Sequence, residues 1–134
     1  MNNSCMTEPT EIQQLVGYIQ IGNFEKVKEY IIDRNISAKS CDGDLCSLLH
    51  WAAINNRVEI AKFLISHGAA VNFPGGVLNE IPLQWAARND MYTHMIRLLV
   101  DKGSDLLHKN VHGHDALSIA CQVGNINIVY ILLV

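Results

Sequence analysis

No cluster of lysine or arginine occurs anywhere in this chain of 134 residues, whose 10 basic and 13 acidic side chains leave a net charge of −3. A surface for nucleic acid or anionic lipid must neutralise phosphates with grouped cations, so neither partner is expected. No stretch approaches the ~20 apolar residues that a membrane-spanning helix needs, so direct membrane insertion is not expected either. Met1 to Pro9 has neither the charged front nor the apolar core of a signal peptide, and a soluble module of intracellular type is the expectation. Cysteine is sparse: Cys5, Cys41, Cys46 and Cys121 are scattered, and only Cys41 and Cys46 share a loop. That is a poor disulfide framework and a poor zinc site, so free thiols are expected.

Catalytic signatures are missing as well. There is no G-x-S-x-G elbow, no cysteine with a neighbouring histidine and an orienting third group, and no glycine-rich phosphate loop. Gly75-Gly76 reads as a turn in a hairpin loop. His67, His94 and His108 stand alone, while His112 and His114 share a turn with only Asp115 beside them. No active site, metal or cofactor is expected.

What the chain has is an apolar content of 49%, ample for one packed domain, and a repeat. Leu49-His50-Trp51-Ala52-Ala53 recurs as Leu83-Gln84-Trp85-Ala86-Ala87 and again as Leu117-Ser118-Ile119-Ala120-Cys121. Leu49, Leu83 and Leu117 are 34 residues apart, and Leu15 lies one further period upstream. Self-similarity at this period marks stacked supersecondary units, and L-H-x-A-A with a trailing Gly68-Ala69 is the ankyrin pattern. The predicted fold is an all-α ankyrin solenoid over residues 11–134, after a frayed start over 1–10. Its four helix-turn-helix units cover about 11–43, 44–77, 78–110 and 111–134.

The first unit carries helical stripes of Ile12, Leu15, Val16 and Ile19, then Phe24, Val27, Tyr30 and Ile31, split by Gly22-Asn23. Tyr18 and Ile19 stand where other units have alanine, as in an atypical end cap. In the second unit Ser47 is placed to cap a helix from Leu48, and Gly68 to end the helix that starts at Val58. His50 is expected to set the loop through hydrogen bonds to backbone. In the third, Pro82 sits just inside a helix start, and Gln84 stands at the histidine position, which puts that loop bond in doubt. Gly103 follows Gly68 by 35 residues rather than 34, so a bulge or longer turn is expected near Thr93 to Met95. The fourth unit ends in an apolar helix, Ile126 to Val134, without the polar outer face of a terminal repeat. That implies a piece of something longer.

Trp51 and Asn55, four residues apart, share a helix face, and Trp85 and Asn89 repeat the pair one unit later. Ile119 and Val123 hold the corresponding places in the fourth unit. Two readings of the tryptophans stand side by side. They fill gaps between repeats, or they form a wall with the carboxamides against which an extended peptide lies. An indole offers a flat apolar face and one N–H donor, and a carboxamide offers both donor and acceptor.

Three strings, L-L-H-W-A-A-I-N-N-R (Leu48 to Arg57), I-S-x-G-A-x-V (Ile65 to Val71) and G-G-x-L-N-x-x-P-L-x-W-A-x-R (Gly75 to Arg88), resemble the ankyrin domain of the ankyrin-containing DHHC palmitoyltransferases. The resemblance is strong over about residues 45–90 and looser to the end. It implies a cytosolic module of a Golgi or other endomembrane enzyme, recruiting protein substrates through a short linear motif of aliphatic residues followed by Gln-Pro. It further implies that Asn55 and Trp85 recognise the peptide, with Trp51 and Asn89 as supporting neighbours. The D-H-H-C segment that would transfer the acyl group is absent from these residues. The alternative is a stand-alone ankyrin scaffold that binds a partner through loop tips at Phe73 to Asn79 and Val111 to Asp115.

Overall fold

The computed structural model describes residues 9–133. Of the segment expected to fray, Met1 to Glu8 lies outside the described residues, whereas Pro9 and Thr10 already form the first helical turn. Eight α-helices follow in four pairs: α1 (Pro9–Ile21) with α2 (Phe24–Lys28), α3 (Leu48–Ile54) with α4 (Val58–Ser66), α5 (Pro82–Ala86) with α6 (Thr93–Asp101), and α7 (Ala116–Val123) with α8 (Ile126–Leu133). A single π-helical turn, Glu29–Asp33, continues α2, a widening that the residue pattern did not announce.

The first helices of the units pack in one row, α1 on α3 on α5 on α7, and the second helices in another, α2 on α4 on α6 on α8. The 34-residue period places Leu15, Leu49 and Leu83 in the same fully buried position of successive units. Ala52, Ala53, Ala86, Ala87 and Ala120 are also fully buried. Their small side chains let the inner helices approach closely, which a larger residue there would prevent. In the first unit Tyr18 is half-buried and packs edge-on against Tyr30, 5.7 Å between ring centres, while Ile19 is fully buried.

The connections between units are three fingers. Among the described residues they hold the only β-type pairing, isolated bridges Cys41 to Ser47 and Gly75 to Glu80. The third finger closes through the Asn110 N–H to the His114 carbonyl, 3.0 Å. Ser47 caps α3 as expected: its Oγ accepts the His50 N–H at 3.1 Å, and His50 Nδ1 reaches back to the Ser47 N–H at 3.2 Å. Gly68, at φ +101, follows the end of α4, and Pro82 opens α5.

One expectation needs correcting. Gln84 keeps the loop bonds that its replacement of histidine had put in doubt. Its Oε1 accepts the Ile81 N–H at 2.9 Å and its Nε2 donates to the His108 and His114 carbonyls at 3.1 and 2.9 Å. The extra residue of the third unit sits in a longer turn immediately before Thr93, not in a bulge within α6. α6 is as long as α4, nine residues each. The additional residue lengthens the turn between α5 and α6, where Asn89 Oδ1 accepts the Met91 N–H and Asn89 O the Tyr92 N–H.

Candidate functional site

Trp51 on α3 and Trp85 on α5 stand side by side along the inner row, ring centres 5.7 Å apart and perpendicular. Both are half-buried, and Trp51 packs against the core. Trp85 also lies edge-on to the His50 ring at 4.8 Å. Together with Ile54, Leu78, Arg88 and the second finger at Gly75 to Val77, it lines an open, largely apolar groove of about 300 Å³.

The two indoles differ in one respect that decides what the groove can do. Asp42, in the first finger, clamps its own turn by accepting the Asp44 and Cys46 N–H groups through Oδ1, at 2.9 and 3.0 Å. Its other oxygen accepts the Trp51 indole N–H at 2.9 Å. One repeat later the residue in the register of Asp42 is Gly76, which has no carboxylate to offer. The Trp85 N–H has no acceptor among the described residues, and it is not among their buried unpaired atoms, so it faces solvent.

The carboxamides are less alike than their spacing suggests. Asn55 ends α3, half-buried, and its Nδ2 donates to the Trp51 carbonyl at 2.9 Å; its Oδ1 accepts no hydrogen bond among the described residues. Asn89 is exposed in the lengthened turn, where its oxygen is occupied by the Met91 N–H. In the fourth unit Ile119 is buried and Val123 half-exposed, so the indole row ends at Trp85.

Beneath the groove a polar network that residue spacing did not single out holds the wall in place. Glu80 is 1% exposed, yet both carboxylate oxygens bind Arg88, at 2.7 and 2.8 Å, and one also accepts from Asn110 at 2.8 Å. Burial alone would push the Glu80 carboxyl up, but the Arg88 and Asn110 hydrogen bonds and the guanidinium charge hold it below the usual carboxylate range. The Glu80 carbonyl contacts His50 Nε2 at 2.6 Å, and a carbonyl only accepts, so the ring carries its proton on Nε2. Nδ1 then accepts from Ser47. Burial lowers the His50 pKa, with the Glu80 carbonyl opposing in part, which keeps the ring neutral. Of this network the sequence had offered His50, expected to bond loop backbone, and Arg88 in the motif W-A-x-R, but neither Glu80 nor Asn110.

Among the described residues no group of three or more His, Cys, Asp or Glu side chains could hold a metal ion. Burial, reinforced by Asp42 and Asp44, raises the Cys46 thiol to about 11, so it stays protonated rather than forming the thiolate that bonds zinc or attacks a substrate. Among the described residues no helix is long and apolar enough to cross a membrane.

Stacked helix pairs, fingers tied by His50 and Gln84 and an indole-lined inner wall define a repeat protein that offers a surface to other proteins. The chain belongs to the ankyrin-repeat family, whose model, "Ankyrin repeats (3 copies)", matches residues 15–108 and 72–134. It is similar to mouse palmitoyltransferase ZDHHC13, 44% identical over 91 residues, or 68% of this chain and 14% of that protein. It is also similar to palmitoyltransferase AKR1 of Lachancea kluyveri, 38% identical over 116 residues, 85% of this chain and 16% of that one. Zebrafish palmitoyltransferase ZDHHC17 is 40% identical over 85 residues, 63% and 14% respectively. The chain thus spans about a seventh of the length of these relatives.

Proposed function

We propose that this chain recruits protein substrates for S-palmitoylation by holding an extended segment, aliphatic residues followed by Gln-Pro, against the groove at Trp85. The observation that carries this reading is the unpaired, solvent-facing Trp85 N–H, beside an identical indole whose N–H is satisfied internally by Asp42. A half-buried indole with an unused donor suits a ligand that brings both a carbonyl and a flat apolar ring, as a Gln-Pro segment does. Asn55, one turn along the wall, adds an acceptor for a glutamine amide or a backbone N–H. Trp51 buttresses Trp85, and Asn89 is assigned a supporting role. Similarity to proteins named palmitoyltransferases supports the link to acylation. The acyl transfer itself falls to a D-H-H-C segment of a parent protein, on the cytosolic face of the Golgi or another endomembrane.

Isothermal titration of the chain with an aliphatic-x-x-Gln-Pro peptide, against the same peptide with proline replaced by alanine, tests the reading. Selective micromolar binding is expected. Trp85→Ala and Asn55→Ala should each weaken it by about tenfold or more, which is roughly 1.4 kcal/mol, while helical circular dichroism is retained. Unaltered affinity in both folded variants would sink the proposal.

A second reading, a scaffold that binds through its finger tips, is favoured by Val77 and Val111, which are 92% and 60% exposed. Under it, Val77→Ser with Val111→Ser disrupts the partner complex while Trp85→Ala leaves it intact.

A further inference from the structure

The tips of the three fingers place Leu45, Asn79 and Gly113 at one position of the 34-residue register, and all three adopt left-handed backbone, with φ of +63, +58 and +81. Asparagine and glycine are the residues that tolerate this conformation. The other left-handed non-glycine residues described, Asn35, Asn56 and Asn79, are all asparagine, and Leu45 is the single exception among them. Its side chain gains little from the fold in return, since it is 60% exposed.

The turn that forces Leu45 into this shape is held from outside the residue. Asp42 accepts the N–H groups of Asp44 and Cys46 through its carboxylate and that of Leu45 through its carbonyl, and its second carboxylate oxygen is fixed by the Trp51 indole. The Leu45 carbonyl lies so close to Gly75 that a Cβ there would collide with it, and Gly75 lines the groove. A strained, exposed, apolar side chain therefore sits on a clamped turn one finger from Trp85. Strain that the surroundings hold in place, without a packing reward inside the molecule, is found where a side chain serves something outside it.

We propose that Leu45 is a specificity-determining residue of the peptide groove, the apolar contact for the aliphatic residues that precede Gln-Pro. This rests on the groove reading above and adds to it the element that selects the amino-terminal half of the motif.

The test is a double-mutant cycle on the 134-residue chain. Leu45→Asn, which installs the residue found at position 79, is compared with wild type for melting temperature. Both proteins are then titrated with the full motif peptide and with one whose aliphatic residues are alanine. Relief of strain should raise the melting temperature by ~3 °C. Leu45→Asn should also bind the full peptide roughly fivefold more weakly, with the two proteins binding the alanine peptide alike. A higher melting temperature with unchanged affinity for the full peptide overturns the assignment, as does a melting temperature that fails to rise. Wild type that binds neither peptide sinks the groove reading and this one with it, whereas equal binding by both proteins sinks only the role of Leu45.

Discussion

His50 and Gln84 occupy the same place one repeat apart and meet the same demand with different chemistry. Each accepts a backbone N–H at the helix start and donates across to the next finger. Glutamine adds no titration, which makes His50→Gln an informative substitution. Because burial depresses the His50 pKa, the unfolded chain takes up the proton near 6.5 while the folded chain still resists. Between those two values the unfolded state binds more protons, so stability falls as pH drops below about 6.5. Glu80, depressed from 4.5, adds a second loss as pH falls below that value, because the unfolded chain is again protonated first. Urea midpoints measured from about pH 7.5 down to about pH 5.5 should decline for wild type and stay nearly level for His50→Gln. Equal slopes for the two would contradict the assignment. Residue types at fixed spacing made His50, Ser47, Trp51 and Trp85 legible in the sequence. They did not reveal Asp42 as the partner of Trp51, because that bond joins a finger to a helix across a geometry no periodicity encodes.

Fingers are the elements in which the sequence was least informative, since their contacts run between loops rather than along a helix. Gly75 illustrates the point. Read alone it is one half of a Gly-Gly turn, but in the stack a Cβ on it would collide with the Leu45 carbonyl of the preceding finger. Its φ is not left-handed, so the need for glycine there comes from space and not from backbone conformation. Gly43, by contrast, would meet nothing within 4 Å on gaining a Cβ. Gly75→Ala should therefore cost ~2 kcal/mol of stability and push the two fingers apart, whereas Gly43→Ala should change stability by less than ~0.5 kcal/mol. Helices α3 and α5 were easier to foresee, because each combines a cap or proline with buried leucine and alanine at helical spacing. The π-helical turn after α2 was not, as it carries no distinct residue pattern.

At the scale of the whole molecule, a solenoid is stabilised unit by unit, through each unit's own packing and its contacts with neighbours. The 34-residue period made the four units readable, yet the one irregularity in that period proved structural in a way that counting could not show. The residue added between α5 and α6 lets the turn carry Asp90 to the start of α8. There its Oδ1 accepts the Asn127 and Ile128 N–H groups at 2.9 and 3.2 Å, and its Oδ2 accepts the Asn127 carboxamide at 2.9 Å. A carboxylate at this end of a helix satisfies otherwise unpaired donors and opposes the helix dipole favourably. Asn125 adds a second tie, donating to the Ala87 carbonyl at 2.9 Å. These bonds matter because α8 fully buries only Ile128, while Ile126, Tyr130 and Leu133 are 76%, 73% and 67% exposed. Asp90→Ala should thus remove ~1–2 kcal/mol, concentrated in the last unit. Hydrogen exchange followed by mass spectrometry would show it as faster exchange across α7 and α8, with α3 and α4 keeping their protection. Uniformly faster exchange along the chain would mean that the four units unfold as one body, and that Asp90 contributes to the stack as a whole rather than fastening its last unit.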